Sequence, residues 1–487
     1  MRLPFFYYIT AFAAGMAVMV AELTLSRLLA PYFGTSLFVW TNVIALVMLA
    51  LSAGYYFGGR LADKNPHPAL YFSLLGATGF WLLILPFFAP FLFRANLLLW
   101  SNLASLVQWG SLLSVGLLLL APMFFLGMIT PFSVKLIAQD MVHLGRDSGR
   151  VSMVSTAGSL LGTFLPAFVL IPTFGSSRTF IVVGLLLLFL AVLGLRRYWA
   201  LGLVCLGGFL MLWAPPVFAM SGLIYDDESA YGHVFVQEKQ DGVRNLFIDT
   251  TFGIQSVYQP NLELGNHYYS YFGLAPSMLP PDANKVLILG HGGGIFTRVY
   301  NALYPDLEIT GVELDPAVTE AGRKVLNLND LEVNIVHSDA RAFLNLSKET
   351  YDLILVDVYN ASSIPPHLAT QEFFGLVAEH LNTGGIMAMN IASTEGPFLD
   401  GLVATVSSEF MELQTLAIPD SYNTMLLAGT EPFVLGEVPE ILAAQKELYE
   451  TDVVTPQFFS GEVFTDDKSS RVEVLGQTML LKLFSRF

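Results

Sequence analysis

Four positions along the chain, each at the end of an apolar run, carry residue types suited to small-molecule chemistry. The first is a glycine cluster, Gly290, Gly292, Gly293 and Gly294, directly after "KVLIL". Glycine reaches backbone angles closed to other residues and puts no Cβ between the chain and a ligand. Glu313 closes the next run, in "GVELDP". It lies about 20 residues on, the spacing at which a carboxylate accepts both hydroxyls of an adenosine ribose. Asp339, followed by Ala340, closes the third run in "VHSDARAF" and is placed to meet an adenine amino group. Asp357 closes the fourth in "ILVDVYN", with Tyr359 and Asn360 after it. Ligands of open parallel sheets bind beyond the carboxyl ends of the strands. Gly, Glu, Asp and Asp in register are therefore read as one site.

Such a site needs a scaffold that brings four strand ends together. From Lys285 onward apolar runs alternate with helix-compatible segments: a helix from about residue 295, another from Pro316, a third after Asp339 and a fourth from about Thr370. That alternation predicts a doubly wound parallel sheet with helices on both faces. Ahead of it, from about 230 to 260, short alternating runs broken by "QDG" predict a small antiparallel sheet. The expected organisation is residues 1–222 as an α-helical transmembrane bundle, 223–283 as the small β domain and 284–487 as the Rossmann-like α/β domain.

Composition separates the first part from the rest. Of 487 residues, 54% are hydrophobic and 13% charged, against roughly a quarter charged in soluble proteins. Four acids and eleven Lys/Arg precede Ser221, while 36 acids and 13 Lys/Arg follow it. An acidic back half excludes the basic footprint that nucleic acid demands. The single cysteine, Cys205, excludes a disulfide framework or thiolate metal site within the chain. The N-terminal apolar segment is too long for a cleavable signal peptide, and further spans follow it. Runs of about 20 apolar residues cross a bilayer. Seven are expected, near 5–29, 36–58, 69–93, 103–130, 151–173, 179–195 and 199–219. The fourth has room for a re-entrant piece. The fifth and sixth should form a tight hairpin around Gly175 and Arg178, with Gly158, Ser159, Gly162 and Thr163 in close helix contact. Glu22 and Arg27 fall inside the first span. They read as a structural ion pair or a snorkelling arginine, or else as a functional pair.

The bilayer is thus one expected partner, in a cell (inner) membrane, and charge and ligand supply disagree over topology. Arg2, Arg60, Lys64, Lys135, Arg146, Arg150, Arg196 and Arg197 fall on one side, and only Arg27, Arg94 and Arg178 on the other. The positive-inside rule then sends the domain after seven spans outside. A ligand supplied from the cytoplasm favours a cytoplasmic domain, which is the expectation adopted.

The turn reads G-H-G-G-G rather than G-x-G-x-x-G, and the third and fourth acids have no role toward a nicotinamide. S-adenosylmethionine or its decarboxylated form fits better, its sulfonium near the glycine turn and Asp357, with no metal called for. At these residues segment 223–430 resembles the spermidine synthase (aminopropyltransferase) family. The front half is similar to the membrane part of multi-pass, spermidine synthase-like bacterial proteins, through "AELTLSRLLAPYFGTS", "GYYFGGRLADK" and "AGSLLGTFLPAFVLIPTFG". The resemblance implies a small β-sheet domain before a methyltransferase-like Rossmann domain. It also implies aminopropyl transfer from decarboxylated S-adenosylmethionine to an amine, releasing methylthioadenosine, and often a homodimer.

By the same resemblance Gln255, Tyr268, Gly290, His291, Gly292, Gly293, Glu313, Asp339, Ala340 and Asp357 bind the donor. Asp357, Tyr359 and Asn360 form the catalytic loop. The sequence departs from the family at three points. His291 and Gly293 replace the aspartate-bearing G-G-G-D-G turn, Asn360 replaces the second acid of D-[ST]-x-D, and "YYS" at Tyr268–Ser270 lacks the glutamate of Y-[HQ]-E. Asp466 and Asp467 in "FTDDKSSRVE" offer charge from another direction. The alternatives are an S-adenosylmethionine-dependent transferase or lyase with another acceptor, and a nucleoside-binding sensor or transporter.

Overall fold

The computed structural model describes residues 3–33, 37–99, 106–138, 143–197, 220–251, 253–359, 363–456 and 461–468, with isolated positions at 204, 208–209, 472 and 475–476. The chain divides into two compact units. One is Met1–Met220 with Asp227–His233, the other Ser221–Asp226 with Val234–Phe487.

The first unit is helical: α1 Leu3–Phe33, α2 Leu37–Lys64, α3 Pro68–Leu99, α4 Ser111–Ile137, α5 Leu144–Leu165 and α6 Ile171–Leu195. Short π-helical turns, Leu106–Gly110 and Pro166–Leu170, lead into α4 and α6. Five helical runs are long and apolar enough to cross a membrane, the fifth being Leu144–Leu195 with 52 residues. At 1.5 Å per residue such a run is more than twice the roughly 30 Å of a hydrocarbon core. It reverses at Gly175, where φ is 77° and ψ 165°. Before that point α5 runs along α1, Gly158 meeting Phe12 and Gly162 meeting Met16; beyond it α6 runs antiparallel to α3, Gly184 meeting Gly79 and Gly194 meeting Phe72. Helices α1 and α3 are parallel to each other, with Tyr7 beside Tyr71 and Tyr32 beside Phe93. The expected hairpin around Gly175 is therefore formed. A Cβ on Gly158 would stand 2.0 Å from the Phe12 carbonyl oxygen, and Ser159 donates to the Gly15 carbonyl at 3.1 Å. Small residues let these backbones touch. The expected seventh span, 199–219, lies outside the described residues.

Among the described residues Glu22 and Arg27 form no ion pair. Arg27 instead donates to the carbonyls of Tyr231, at 2.8 Å, and Ala230. These lie at the hairpin tip 227–233 that groups with the helical unit. Glu228 of the same tip accepts from the Ser176 backbone N–H at 2.8 Å and from its hydroxyl. It caps the helix that restarts after Gly175, where unpaired N–H groups favour an anion. At the far end of α2, Asp63 pairs with Lys135 at 2.8 Å.

The second unit holds two sheets. The smaller has the order β1-β2-β3-β4: β1 Leu223–Glu228, β2 His233–Glu238, β3 Arg244–Ile248 and β4 Ser256–Tyr258. Its Val234, Val236 and Leu246 pack with Val318 and Ala321 of the helix Pro316–Val325. The larger sheet comprises β5 Lys285–Leu289, β6 Glu308–Glu313, β7 Asn334–His337, β8 Tyr351–Val356, β9 Leu381–Ile391, β10 Glu412–Ala417 and β11 Thr424–Gly429. Its order is β10-β11-β9-β8-β5-β6-β7. Strands β7, β6, β5, β8 and β9 are parallel, and β11 and β10 extend the edge antiparallel. That antiparallel pair was not expected. No helix separates it, so the alternation of strand and helix stops short of it.

Strand β5 is sandwiched. Val286 and Ile288 join one core with Phe296, Val299 and Tyr300, while Leu287 and Leu289 join the other with Leu344, Phe373 and Leu402. Successive side chains of a strand point to opposite faces. A continuous apolar run is therefore what a strand covered on both faces requires.

Candidate active site

Chain order reverses at β5, with β6 and β7 to one side and β8 and β9 to the other. The crevice beyond such a reversal is the favoured ligand position of open α/β sheets. The glycine turn leaves β5 and Asp357 leaves its neighbour β8. The two are locked by backbone: the Asp357 N–H donates to the Leu289 carbonyl at 2.9 Å, and a Cβ on Gly290 would stand 2.2 Å from the Asp357 carbonyl oxygen. Gly290 has φ 81°, Gly292 57° and Gly294 91°, all left-handed angles that glycine adopts without strain. The turn ends at Gly294, the N-cap of the helix Ile295–Leu303. The Gln255 carbonyl lies 3.5 Å from where a Gly292 Cβ would stand, and Ser256 Oγ 2.9 Å from a Gly293 Cβ. The small sheet thus walls one side of the turn.

Glu313 is only 8% exposed. Its Oε2 accepts from the Gly292 N–H at 2.8 Å and its Oε1 from the Asp315 N–H at 3.0 Å. Burial raises its pKa, while those backbone donors pull the other way. His291 sits in the turn but its ring, 2% exposed, is turned into the sheet against Gly311. Its Nε2 meets the Thr297 hydroxyl at 2.9 Å, and burial lowers its pKa to about 4. Expected among the ligand-binding residues, His291 has its ring turned into the sheet, its N–H bonded to the Val312 carbonyl at 3.0 Å and its carbonyl accepting from the Gly294 N–H at 3.2 Å.

Asp339 is the N-cap of the helix Ala340–Leu346. Its Oδ1 accepts from the Ala342 N–H at 3.0 Å and its Oδ2 meets His367 Nε2 at 2.9 Å. Burial pushes its pKa up, but His367 and the backbone donors outweigh that and leave it lowered. Ala340 is the buried first residue of that helix.

Asp357 Oδ1 accepts from Asn390 Nδ2 at 2.8 Å. Burial lifts its pKa to about 6, against the pull of hydrogen bonds from Asn390 and Tyr268. The Tyr268 phenol is held far above its ordinary pKa by burial and by the Asp357 charge, so it stays a donor. Tyr359 accepts from the Ala392 N–H at 2.6 Å and donates to the Asn390 carbonyl at 3.2 Å, fixing the end of β9. Asn360 lies outside the described residues.

Asp466 is not free to add charge to the site. Arg341 grips both its oxygens at 2.7 Å, and Thr370 donates to it at 2.8 Å. The same arginine donates to the His367 carbonyl at 3.2 Å. Asp466 thereby ties the C-terminal segment to the loop that carries His367.

Sequence reasoning missed Asn390, Asn423, His367 and Ser256. Asn390 had a signal, a lone amide ending the buried apolar run "GGIMAM". Asn423 and His367 had none, because loop residues acquire partners only through tertiary packing. Taken together the crevice has a glycine turn, a buried carboxylate bonded to that turn, and a second carboxylate tuned to lose or gain a proton near neutrality.

Residues 266–412 match the Spermine/spermidine synthase domain. The chain is 32% identical over 283 residues to a probable polyamine aminopropyl transferase of Bifidobacterium longum, covering 53% of this chain and 63% of that protein. It is 25% identical over 402 residues to polyamine aminopropyltransferase 2 of Aquifex aeolicus, covering 79% of this chain and 78% of that protein. A probable spermidine synthase structure from Corynebacterium glutamicum superposes with a TM-score of 0.39 at 16% identity, over 54% of this chain and 95% of that one.

Proposed function

We propose, from the premise that the synthase-like part of this chain belongs to the spermidine synthase-like family, that it transfers an aminopropyl group from decarboxylated S-adenosylmethionine to an amine. The observation that carries this reading is Asp357. It stands at the strand-order reversal, backbone-locked to the glycine turn, with its pKa raised to about 6. In the proposed reaction the amine lone pair forms a bond to the carbon beside the sulfonium. The C–S bond breaks with its electrons going to sulfur, and methylthioadenosine leaves as a neutral thioether. Asp357 takes the proton released by the attacking nitrogen. Sulfonium leaves readily, so the protein's task is to align the reactants in line and remove that proton. Glu313 would accept the ribose hydroxyls with the lone pairs its two backbone donors leave open, and Asp339 the adenine amino group.

Two measurements test this. Purified protein incubated with the donor and a panel of amines should yield aminopropylated product and methylthioadenosine by mass spectrometry. In calorimetry, Glu313→Ala should weaken methylthioadenosine binding by about tenfold to a hundredfold, because hydrogen bonds to a charged group contribute roughly 1.5–3 kcal/mol. Unchanged affinity in the folded variant would remove Glu313 from the site.

The five long apolar helices are compatible with membrane spans, and we place the synthase-like domain on the cytoplasmic side, where its sulfonium donor is made. A charged sulfonium does not cross lipid unaided. A reporter fused after Phe487 should be active in its cytoplasmic form. Activity only outside would overturn the placement and follow the cation count instead.

A further inference from the structure

Phe464 anchors the C-terminal segment. Its side chain is 1% exposed and covers Gly401 so closely that a Cβ there would stand 2.3 Å from the ring. Its N–H donates to the Thr405 hydroxyl at 2.9 Å, and its carbonyl accepts from the Gln371 N–H at 2.8 Å. The segment is thus fixed where the helix Gln371–Glu379 begins. Two residues on, Asp466 accepts from Thr370, the N-cap of that helix, and from both Nη1 and Nη2 of Arg341 at 2.7 Å. Its own N–H donates to Glu372 at 3.1 Å. Arg341 belongs to the helix Ala340–Leu346, whose N-cap is Asp339. Arg341 Nη1 also donates to the His367 carbonyl at 3.2 Å, and His367 Nε2 meets Asp339 Oδ2 at 2.9 Å. Pro365 and Pro366 precede His367, and Ile364, Leu368 and Ala369 beside it are buried. The contacts therefore form a circuit from Asp339 through His367 to Arg341 and back to the start of the Asp339 helix, and Asp466 clamps the arginine.

Burial pushes the Asp339 pKa up, but His367 and the helix N–H groups outweigh it and keep the group ionised. An ionised carboxylate only accepts, so the His367 proton sits on Nε2. Oδ1 faces the helix N–H of Ala342, while Oδ2 takes the imidazole and keeps a lone pair for a second donor. Such a lone pair selects an amino group only while the carboxylate is held in one orientation, which is the task of the surrounding hydrogen bonds. A bidentate arginine–carboxylate pair supplies geometric precision of that kind. We infer that Asp466 and Arg341 are positioning residues for the nucleobase: through His367 they aim Asp339 at the base amino group and give the site its preference for adenine over a purine with a carbonyl at that position. This rests on the contact between Asp339 and the adenine amino group proposed above. Neither Asp466 nor Arg341 touches the nucleoside in this scheme.

The test titrates the full-length protein by calorimetry with methylthioadenosine and with methylthioinosine, in which a carbonyl replaces the amino group. The parent is expected to bind the adenine nucleoside about tenfold more tightly, and Asp339→Ala to erase that preference. A parent without the preference, or a preference that survives Asp339→Ala, defeats the Asp339 contact itself. With that contact in place, Asp466→Ala is expected to cut the preference about fivefold. Its methylthioinosine affinity, which reports the fold, should stay at the parent value. Arg341→Lys keeps the charge but loses the fork, and should cut the preference in the same way. An unchanged preference in both variants overturns the inference and leaves the Asp339 contact standing. Equal weakening of both nucleosides also overturns it, since that is what a merely structural role predicts. In the Asp339→Ala background, Asp466→Ala should change the preference no further; an added change overturns the coupling.

Discussion

Asp357→Asn is expected to turn over about a thousandfold more slowly than the parent protein while binding methylthioadenosine with the same affinity. A positioned general base contributes typically a hundredfold to ten-thousandfold. The amide keeps the shape of the carboxyl and leaves the backbone lock to Leu289 in place. Parent turnover should rise about tenfold per pH unit up to about 6 and level off above it, since the ionised form is the base and its pKa sits at about 6. A matching loss of nucleoside affinity would instead make Asp357 a donor-positioning residue.

The same substitution should stabilise the protein. The carboxyl titrates near 3.8 in an unfolded chain and near 6 in the fold. Between those values the folded state holds more protons, so stability falls as pH rises through that window, and the deficit persists above it. Removing the ionisable group should return on the order of 1–3 kcal/mol at pH 8 and nothing at pH 3, from a shift of about two units at 1.36 kcal/mol each. Thermal unfolding of parent and variant at the two pH values checks this. A variant less stable at pH 8 would show the carboxylate to be structurally required.

Gly290→Val should eliminate both nucleoside binding and turnover, by more than a hundredfold each. The residue has φ 81°, where a β-branched side chain is strained, and its new Cβ would start 2.2 Å from the Asp357 carbonyl oxygen. Relief requires moving the turn away from β8, which separates the proposed donor cradle from the proposed base. The contrast with Asp357→Asn, which spares binding, is the informative result. Calorimetry showing parent-like affinity in Gly290→Val would mean that the turn is not the cradle.

Much of the crevice was legible because it is made of strand ends. "KVLIL", "EITGVE" and "YDLILV" are apolar enough to be covered strands, and the residues at their carboxyl ends line the crevice. Asp357 and Glu313 could be read that way. His291 could not, because in a turn of glycines only the packed structure reveals that its ring drops onto Gly311. Asp466 reads as an available acid in the sequence, but Arg341, distant along the chain, holds it. Arg27 escapes for a similar reason. Inside an apolar run it suggests an ion pair with Glu22, yet its partners are backbone carbonyls of a hairpin some 200 residues later. The edge hairpin β10–β11 escaped notice because antiparallel pairs need no intervening helix to announce them.

The contact between Gly290 and the Asp357 carbonyl divides the crevice into parts free to change at different rates. The proposed donor cradle and proton acceptor are coupled through main chain, which side-chain replacement alters little so long as Gly290 stays. The row Asn390, Asn423 and Ser421 is made of side chains on three separate positions. Each can be exchanged without moving the turn.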